Sequence, residues 1–82
     1  MQRVPVRSTT LRSVGYDPAT KTLEAEFRTG RVYAYSDVPP ELWLSLLASA
    51  SKGKFFNILI RDRFRYHSIR EPDGPRPRPA NR

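Results

Sequence analysis

The stretch from residue 22 to residue 35, T-L-E-A-E-F-R-T-G-R-V-Y-A-Y, has the alternation typical of a β-hairpin. Leu23, Ala25 and Phe27 alternate with polar residues, which is the period of two of a half-buried strand. A two-residue turn is predicted at Thr29-Gly30, because glycine accepts the positive φ that tight hairpin turns require. The pattern therefore predicts two antiparallel strands that meet at this turn.

The apolar positions also predict the register of this hairpin, because a slip of one residue moves each side chain to the other face. The expected cross-strand pairs are Arg28–Arg31, Phe27–Val32, Ala25–Ala34, Glu26–Tyr33 and Glu24–Tyr35. In this register the two tyrosines lie on one surface as adjacent aromatic platforms. The alternative is that both tyrosines pack in the core beneath the helices.

A third strand is predicted upstream, within residues 8–16. Its apolar members, Leu11, Val14 and Tyr16, do not alternate cleanly, which indicates a β-bulge or a change of face. Residues 17–20, D-P-A-T, favour a type I turn into the hairpin. Pro5 excludes the first residues from a central strand position. The sheet is thus predicted to be a three-stranded antiparallel meander.

Two helical patterns follow the sheet. Pro40 fits the first turn of a helix, and Gly53 is interpreted as the residue that stops it. A second helix is predicted over residues 54–63. The inward-facing positions predict one core, formed by Phe27, Val32, Trp43, Leu46, Leu47, Phe55, Phe56 and Leu59. Leu44 and Ile58 lie off the helical stripes and suggest a small apolar patch for a partner.

The fold class expected from these patterns is α+β, with two helices packed on one face of the meander. We expect one domain over residues 6–69. Residues 70–82 are rich in proline and arginine without apolar periodicity, which predicts a disordered basic tail.

Charge is distributed unevenly along the 82 residues. The net charge is +7, of which the segment from Lys52 to Arg82 contributes +6. Arginine outnumbers lysine twelve to three, and arginine binds phosphate in a bidentate manner and stacks on flat rings. A nucleic-acid partner is therefore favoured, although a solvated basic surface would give the same composition.

Several classes of site are not expected. The chain has no cysteine, so it offers neither a disulfide nor a thiolate metal ligand. Its single histidine, His67, has no carboxylate near it in sequence, and no glycine-rich phosphate loop is present. We expect no catalytic residues, no cofactor and no metal. Without a predicted membrane span or an apolar N-terminal leader, the expected location is the cytoplasm.

Three motifs occur in order along the chain: V-x-S-x-x-L-x-S-V-G-Y-D-P, L-E-x-E-F-x-x-G-x-V-Y-x-Y-x-x-V-P and S-K-G-x-F-F-N-x-x-I-R. Together they resemble the KTSC domain family, a module named for the C-terminus of some lysyl-tRNA synthetases and found alone in small bacterial and phage proteins. The similarity covers about residues 6–66, and Tyr33 and Tyr35 match the family's Y-x-Y. It implies RNA binding only through the association with the synthetases.

The candidate site combines the two tyrosines with nearby cations. Rings on a sheet flanked by cations are typical of proteins that hold single-stranded RNA, because bases stack on rings and cations meet phosphates. The candidate residues are Tyr33, Tyr35, Arg28, Arg31, Lys52, Lys54, Asn57, Arg61, Arg63 and Arg65. Lys52 has a second interpretation, as a partner of the carbonyl end of the preceding helix.

The predicted function is a non-enzymatic nucleic-acid-binding accessory domain, with RNA preferred over DNA. The alternative is a protein-interaction module of a bacterial or phage assembly, with a sheet edge or the Leu44 and Ile58 patch as its contact surface. No membrane partner is expected.

Overall fold

The computed structural model of the protein describes residues 3–70, except for the side chain of Arg70. Residues 71–82, nearly all of the predicted tail, lie outside the described part. Within the described residues, strand pairing runs from Arg3 to Arg70. The paired region therefore extends three residues before the predicted domain start at residue 6 and one residue past its predicted end at residue 69.

Within residues 3–70 the chain forms five strands and two helices. The strands are β1 (Arg3–Pro5), β2 (Leu11–Asp17), β3 (Thr22–Phe27), β4 (Val32–Tyr35) and β5 (Tyr66–Arg70), and the helices are α1 (Pro40–Ala48) and α2 (Lys52–Leu59). The strands lie in the order β1-β2-β3-β4-β5, and each neighbouring pair is antiparallel. The α+β class is confirmed. The predicted three-stranded meander corresponds to β2, β3 and β4, and the sheet is wider than predicted.

The two strands missing from the prediction form the edges of the sheet. β1 has three residues and ends at Pro5. Proline has no N–H to donate to a neighbouring strand, and an edge strand tolerates this because one of its sides has no neighbour. The pairing of β5 with β4 shifts between Val32 and Tyr33. A very short strand and a strand interrupted by an irregularity carry little apolar periodicity. The expectation that Pro5 avoids a central strand is confirmed.

An irregularity in β2 explains the uneven spacing of its apolar residues. The pairing with β3 shifts between Leu11 and Ser13, which leaves Arg12 as an extra residue. Because of this bulge, Leu11 and Val14 are both fully buried on the same side of the sheet. The predicted bulge is therefore confirmed.

The register predicted for the β3–β4 hairpin is wrong by one residue. The observed pairs are Leu23–Tyr35, Glu24–Ala34, Ala25–Tyr33 and Glu26–Val32. The turn is the cause: the Gly30 amide donates to the Phe27 carbonyl (2.9 Å), and the Phe27 amide donates to the Arg31 carbonyl (2.8 Å). With Gly30 at φ 99°, this is a three-residue loop with glycine at the positive-φ position, not a two-residue turn.

The observed register changes which side chains share a face. Tyr33 and Tyr35 lie on the face of Leu23 and Ala25, and this is the face that packs against the helices. The other face carries Glu24, which forms an ion pair with Arg3 at 3.2 Å.

Glu26 lies beside Glu24 on that second face, and its Oε1 accepts a hydrogen bond from Ser13 Oγ at 2.7 Å. Neither glutamate is opposite a tyrosine, so the predicted pairing of these groups is wrong.

The core lies between the sheet and the helices. Its fully buried members are Leu11, Val14, Leu23, Ala25, Tyr35, Val38, Leu46, Phe56 and Ile60. Phe56 makes edge-on ring contacts with Tyr35 at 5.3 Å and with Phe27 at 5.6 Å between centroids. Phe56 thereby joins α2 to both strands of the hairpin.

Most of the predicted core is confirmed, and two members are wrong. Leu46 and Phe56 are fully buried, and the partly buried residues packed around them include Phe27, Trp43, Phe55 and Leu59. Val32 is buried, but the observed register places it on the face away from the helices. Leu47 is 36% exposed, because the buried stripe of α1 is narrower than the apolar pattern of the sequence.

The helix boundaries differ from the prediction at α2. Pro40 lies in the first turn of α1, as expected. Helix α2 begins at Lys52 and ends at Leu59, so Gly53 is its second residue and does not stop the preceding helix. Neither helix of residues 3–70 has the length and apolar character needed to cross a membrane.

We expect Phe56→Ala to lower the free energy of unfolding by about 3–5 kcal/mol, because it removes a fully buried ring and leaves a cavity. Ile58→Ala is the matched control two residues away on α2, where the side chain is 56% exposed and the change should stay within about 0.5 kcal/mol. Urea unfolding of the three proteins measures both values. Equal stabilities for the two variants would show that Phe56 is not a core residue.

Candidate functional site

The β3–β4 turn is joined to the segment that precedes β2. The Arg28 amide donates to the Thr10 carbonyl at 3.0 Å, and Arg28 Nε donates to the Ser8 carbonyl at 2.6 Å. The hydroxyl of Ser8 in turn accepts bonds from the amides of Thr10 and Leu11, at 3.0 and 3.1 Å. These contacts hold residues 8–10 in one conformation beside the turn.

The start of α2 lies against the same segment. A Cβ atom added to Gly53 would stand 2.5 Å from Ser8 Oγ, which is closer than real Cβ contacts allow. The Ser8 hydroxyl cannot easily move away, because it accepts the two amide bonds described above. Gly53 therefore permits the close approach of α2 to residues 8–10.

Two adjacent clefts lie along this junction. The hairpin cleft, of about 340 Å³, is lined by Thr9, Thr10, Phe27, Arg28, Thr29, Arg31, Tyr33 and Arg61. The helix cleft, of about 450 Å³, is lined by Arg7, Ser8, Thr9, Thr10, Ala50, Ser51, Lys52, Gly53, Lys54 and Asn57. The two clefts share Thr9 and Thr10, so they form one continuous surface.

The charged side chains described at this surface are all cationic. Each cleft contributes three cationic side chains, and none of the described lining residues is acidic. The remaining polar groups are hydroxyls and the amide of Asn57, which donate and accept hydrogen bonds. Such a surface attracts an anion and can orient it through several donors.

The structure brings together seven of the ten predicted site residues. Four line the hairpin cleft: Arg28, Arg31, Tyr33 and Arg61. Three line the helix cleft: Lys52, Lys54 and Asn57. The other three, Tyr35, Arg63 and Arg65, line neither cleft.

The lysines of the helix cleft differ in their contacts. Lys52 Nζ donates to the carbonyl of Ser49, the C-cap of α1, at 2.8 Å. The second interpretation of Lys52, as a partner of the preceding helix end, is therefore confirmed. Lys54 is exposed and lines the same cleft.

Tyr35 is not an exposed platform, and this part of the prediction is wrong. It is 1% exposed, and burial raises the pKa of its hydroxyl to about 12 against an opposing effect of the nearby Arg61 charge. Tyr33 is half-buried, lines the hairpin cleft, and its hydroxyl accepts a weak bond from Arg31 at 3.4 Å. The alternative prediction, that both tyrosines pack in the core beneath the helices, is confirmed for Tyr35 and in part for Tyr33.

The two arginines outside the clefts follow α2. Arg63 Nε donates to the carbonyl of Ile58 at 3.2 Å, and the carbonyl of Arg65 accepts a bond from the Ser36 amide at 2.9 Å. Both side chains are exposed. They lie between α2 and β5, on the chain segment that leads to Tyr66.

The sequence interpretation missed two groups at this surface. Arg7 and the hydroxyls of residues 8–10 line the clefts, and the only sequence signal was the polar run R-S-T-T directly before a strand. The second is Tyr66, whose ring lies 5.1 Å from that of Tyr33 and 5.3 Å from that of Tyr35. Its register opposite Tyr35 could not be predicted before β5 was known.

No group of three or more potential metal-ligating side chains occurs within the described residues. His67 lies exposed on β5, opposite Ala34. The two clefts present cations, hydroxyls and the rings of Phe27 and Tyr33.

Over residues 3–70, the fold and its clefts define a small α+β domain, with two helices on one face of a five-stranded antiparallel sheet. The chain belongs to the KTSC domain family, whose model matches residues 7–64. The predicted family is confirmed.

Relatives of three kinds support this assignment. The crystal structure of a KTSC domain protein from Yersinia pestis superposes with a TM-score of 0.81 at 38% identity, over 83% of this chain and 96% of that one. An uncharacterised protein of Stutzerimonas stutzeri is 44% identical over 84% of this chain and 99% of its own length. A lysine–tRNA ligase of Nostoc punctiforme is 36% identical over 72% of this chain, which is 10% of that enzyme.

We expect Gly53→Ala to lower stability, although alanine is favoured over glycine in a helix by about 1 kcal/mol. The new methyl group would collide with Ser8 Oγ. In a Ser8→Ala background, where that oxygen is absent, the same change should be neutral or stabilising. Thermal unfolding of the four proteins measures the coupling, expected to be about 0.5–3 kcal/mol. Additive effects would contradict the close contact.

Ionisation of Tyr35 should couple stability to alkaline pH. The pKa of Tyr35 in the folded protein, about 12, exceeds the ordinary value of 10.0. The contribution of the protonated hydroxyl to the free energy of unfolding is therefore complete below pH 10 and is lost as pH rises toward 12. The full loss is at most about 3 kcal/mol for a shift of this size. Denaturant unfolding of the parent and Tyr35→Phe between these pH values should show a shallower decline in the variant. Parallel declines would contradict the assignment.

Proposed function

We propose that this domain is a non-enzymatic nucleic-acid-binding module, acting in the cytoplasm, with RNA preferred over DNA. The observation that carries the proposal is the continuous surface of the hairpin and helix clefts, where the lining residues within 3–70 include six cations and no acid. A polyanion that follows this surface would meet cations from three separated parts of the chain, and release of its counterions would favour binding.

The observed register supports this proposal. In the predicted register Glu24 and Glu26 shared the tyrosine face, where they would repel phosphate. In the structure they lie on the opposite face. The surface beside the clefts is thus free of these two carboxylates.

The composition of the clefts favours an RNA ligand. Arginine predominates in the hairpin cleft and can bind phosphate oxygens in a bidentate manner. The hydroxyls of Thr9, Thr10 and Thr29 offer partners for a ribose 2′-OH, the group that distinguishes RNA from DNA. Relatives of this domain also occur within enzymes named for tRNA, the lysine–tRNA ligases.

Charge removal inside and outside the clefts tests the proposal. Lys54→Gln and Arg61→Gln should each weaken binding to a short single-stranded RNA and lower the log–log salt slope by about 0.7 per lost contact. Lys21→Gln removes the same charge from the β2–β3 turn, at the opposite end of these strands, and should leave the slope unchanged. Fluorescence anisotropy at about 50 mM and about 200 mM salt measures both quantities.

Two results would contradict the proposal. One is equal loss of affinity in Lys21→Gln and in the cleft variants, which would indicate attraction by net charge alone. The other is the absence of measurable binding by the parent at the lower salt concentration. A DNA strand of the same sequence, bound as tightly as the RNA, would refute the RNA preference and leave the cleft assignment intact.

The second candidate function is a protein-interaction module. It is supported by two large apolar side chains on the helices, Leu44 at 62% and Ile58 at 56% exposure. The predicted exposure of both residues is confirmed. Leu44→Ser and Ile58→Ser should leave RNA affinity unchanged if the clefts bind RNA, and would weaken only a protein contact.

A further inference from the structure

Tyr66 is an exposed ring held in place by two others. It is the first residue of β5 and lies opposite Tyr35 in the pairing with β4. Its ring centroid is 5.1 Å from that of Tyr33 and 5.3 Å from that of Tyr35, with interplanar angles of 32° and 33°. Yet 55% of its surface is exposed, against 1% for Tyr35.

The contacts beneath Tyr66 continue into the core. Tyr35 packs edge-on against the fully buried Phe56 at 5.3 Å, and Tyr33 packs against Phe27 at 5.4 Å. The exposed ring therefore rests on a continuous set of aromatic contacts. A ring already held in one orientation loses little conformational freedom when a ligand stacks on it, so the cost of binding is low.

The charges near these rings favour an anionic ligand. Arg61 acts electrostatically on the hydroxyl of Tyr35, and it also lines the hairpin cleft with Tyr33. Arg63 and Arg65 precede Tyr66 in the chain and are exposed. Asp62 is the acidic residue of this segment, and it also acts on Tyr35. Between Arg61 and Tyr66 the chain thus carries three guanidinium groups and one carboxylate.

We propose that Tyr66 is a base-stacking residue, on which an unpaired base of a single-stranded nucleic acid lies while Arg61 contacts the adjoining phosphate. This inference deepens the proposed function and rests on it. A base in a duplex is covered on both faces by its neighbours, so a single exposed ring selects unpaired bases. Every base has a flat face, so stacking at Tyr66 contributes affinity with little sequence preference.

The test separates stacking from phosphate binding by using two strands. One is a short oligoadenylate RNA, and the other is an abasic sugar–phosphate strand of the same length and charge. Tyr66→Leu should weaken binding to the oligoadenylate by about 5- to 150-fold, the range expected for one stacked base, and leave the abasic strand unaffected. Tyr66→Phe keeps the ring and should bind both strands as the parent does.

The outcomes distinguish this inference from the proposed function. If the parent binds both strands equally and Tyr66→Leu binds them as the parent does, stacking at Tyr66 is overturned. Phosphate binding by the clefts would still stand. If the parent binds neither strand, both the stacking inference and the proposed function are overturned. The exposed ring would then be assigned to a protein contact.

A measurement on the parent protein guards against a folding defect in Tyr66→Leu, since this side chain also packs on Tyr33 and Tyr35. Stacking should shift the Tyr66 ring proton signals in NMR spectra when oligoadenylate is added, and the abasic strand should not. Identical shifts with both strands would refute the inference, whatever the stability of the variant.

Discussion

The three-residue loop closed by Gly30 determines which side chains meet the helices. Its two backbone bonds, from Gly30 to Phe27 and from Phe27 to Arg31, set the pairing of β3 with β4. Because side chains alternate along a strand, this pairing places Tyr33 and Tyr35 on the helix side, and Glu24 and Glu26 on the other. The position of the core and the charge of each sheet face both follow from one turn.

The clefts depend on contacts between segments that are distant in the chain. Arg28 binds the backbone of residues 8–10, and Gly53 allows α2 to approach the same residues. Cations from the β3–β4 turn, from α2 and from the segment before β2 thereby line one surface. The close approach also explains why a residue with poor helix propensity occupies the second position of a short helix.

The aromatic contacts connect stability with recognition. Phe56 and Tyr35 are buried core residues, Tyr33 is half-buried, and Tyr66 is exposed, so one group of rings extends from the core to the surface. Their edge-on and tilted arrangements suit the quadrupoles of the rings and hold the outermost one in place. In this arrangement, the residues that stabilise the domain also orient the ring proposed to receive a base.

Patterns along the chain were enough to predict the α+β class, the central three strands, the positions of both helices to within a few residues, and the family. The elements depend on local periodicity and turn chemistry, which short stretches carry on their own, whereas the family was indicated by its resemblance in three ordered motifs. Seven of the ten predicted site residues line the clefts, and five of the seven are cations, which are usually exposed in folded proteins. Four features became known from the folded chain alone: the register of the hairpin, the burial of Tyr35, the edge strands β1 and β5, and the position of Tyr66 beside the two tyrosines. Each of these depends on hydrogen bonds or packing between segments far apart in the chain, and such contacts leave no periodic signal in any one segment.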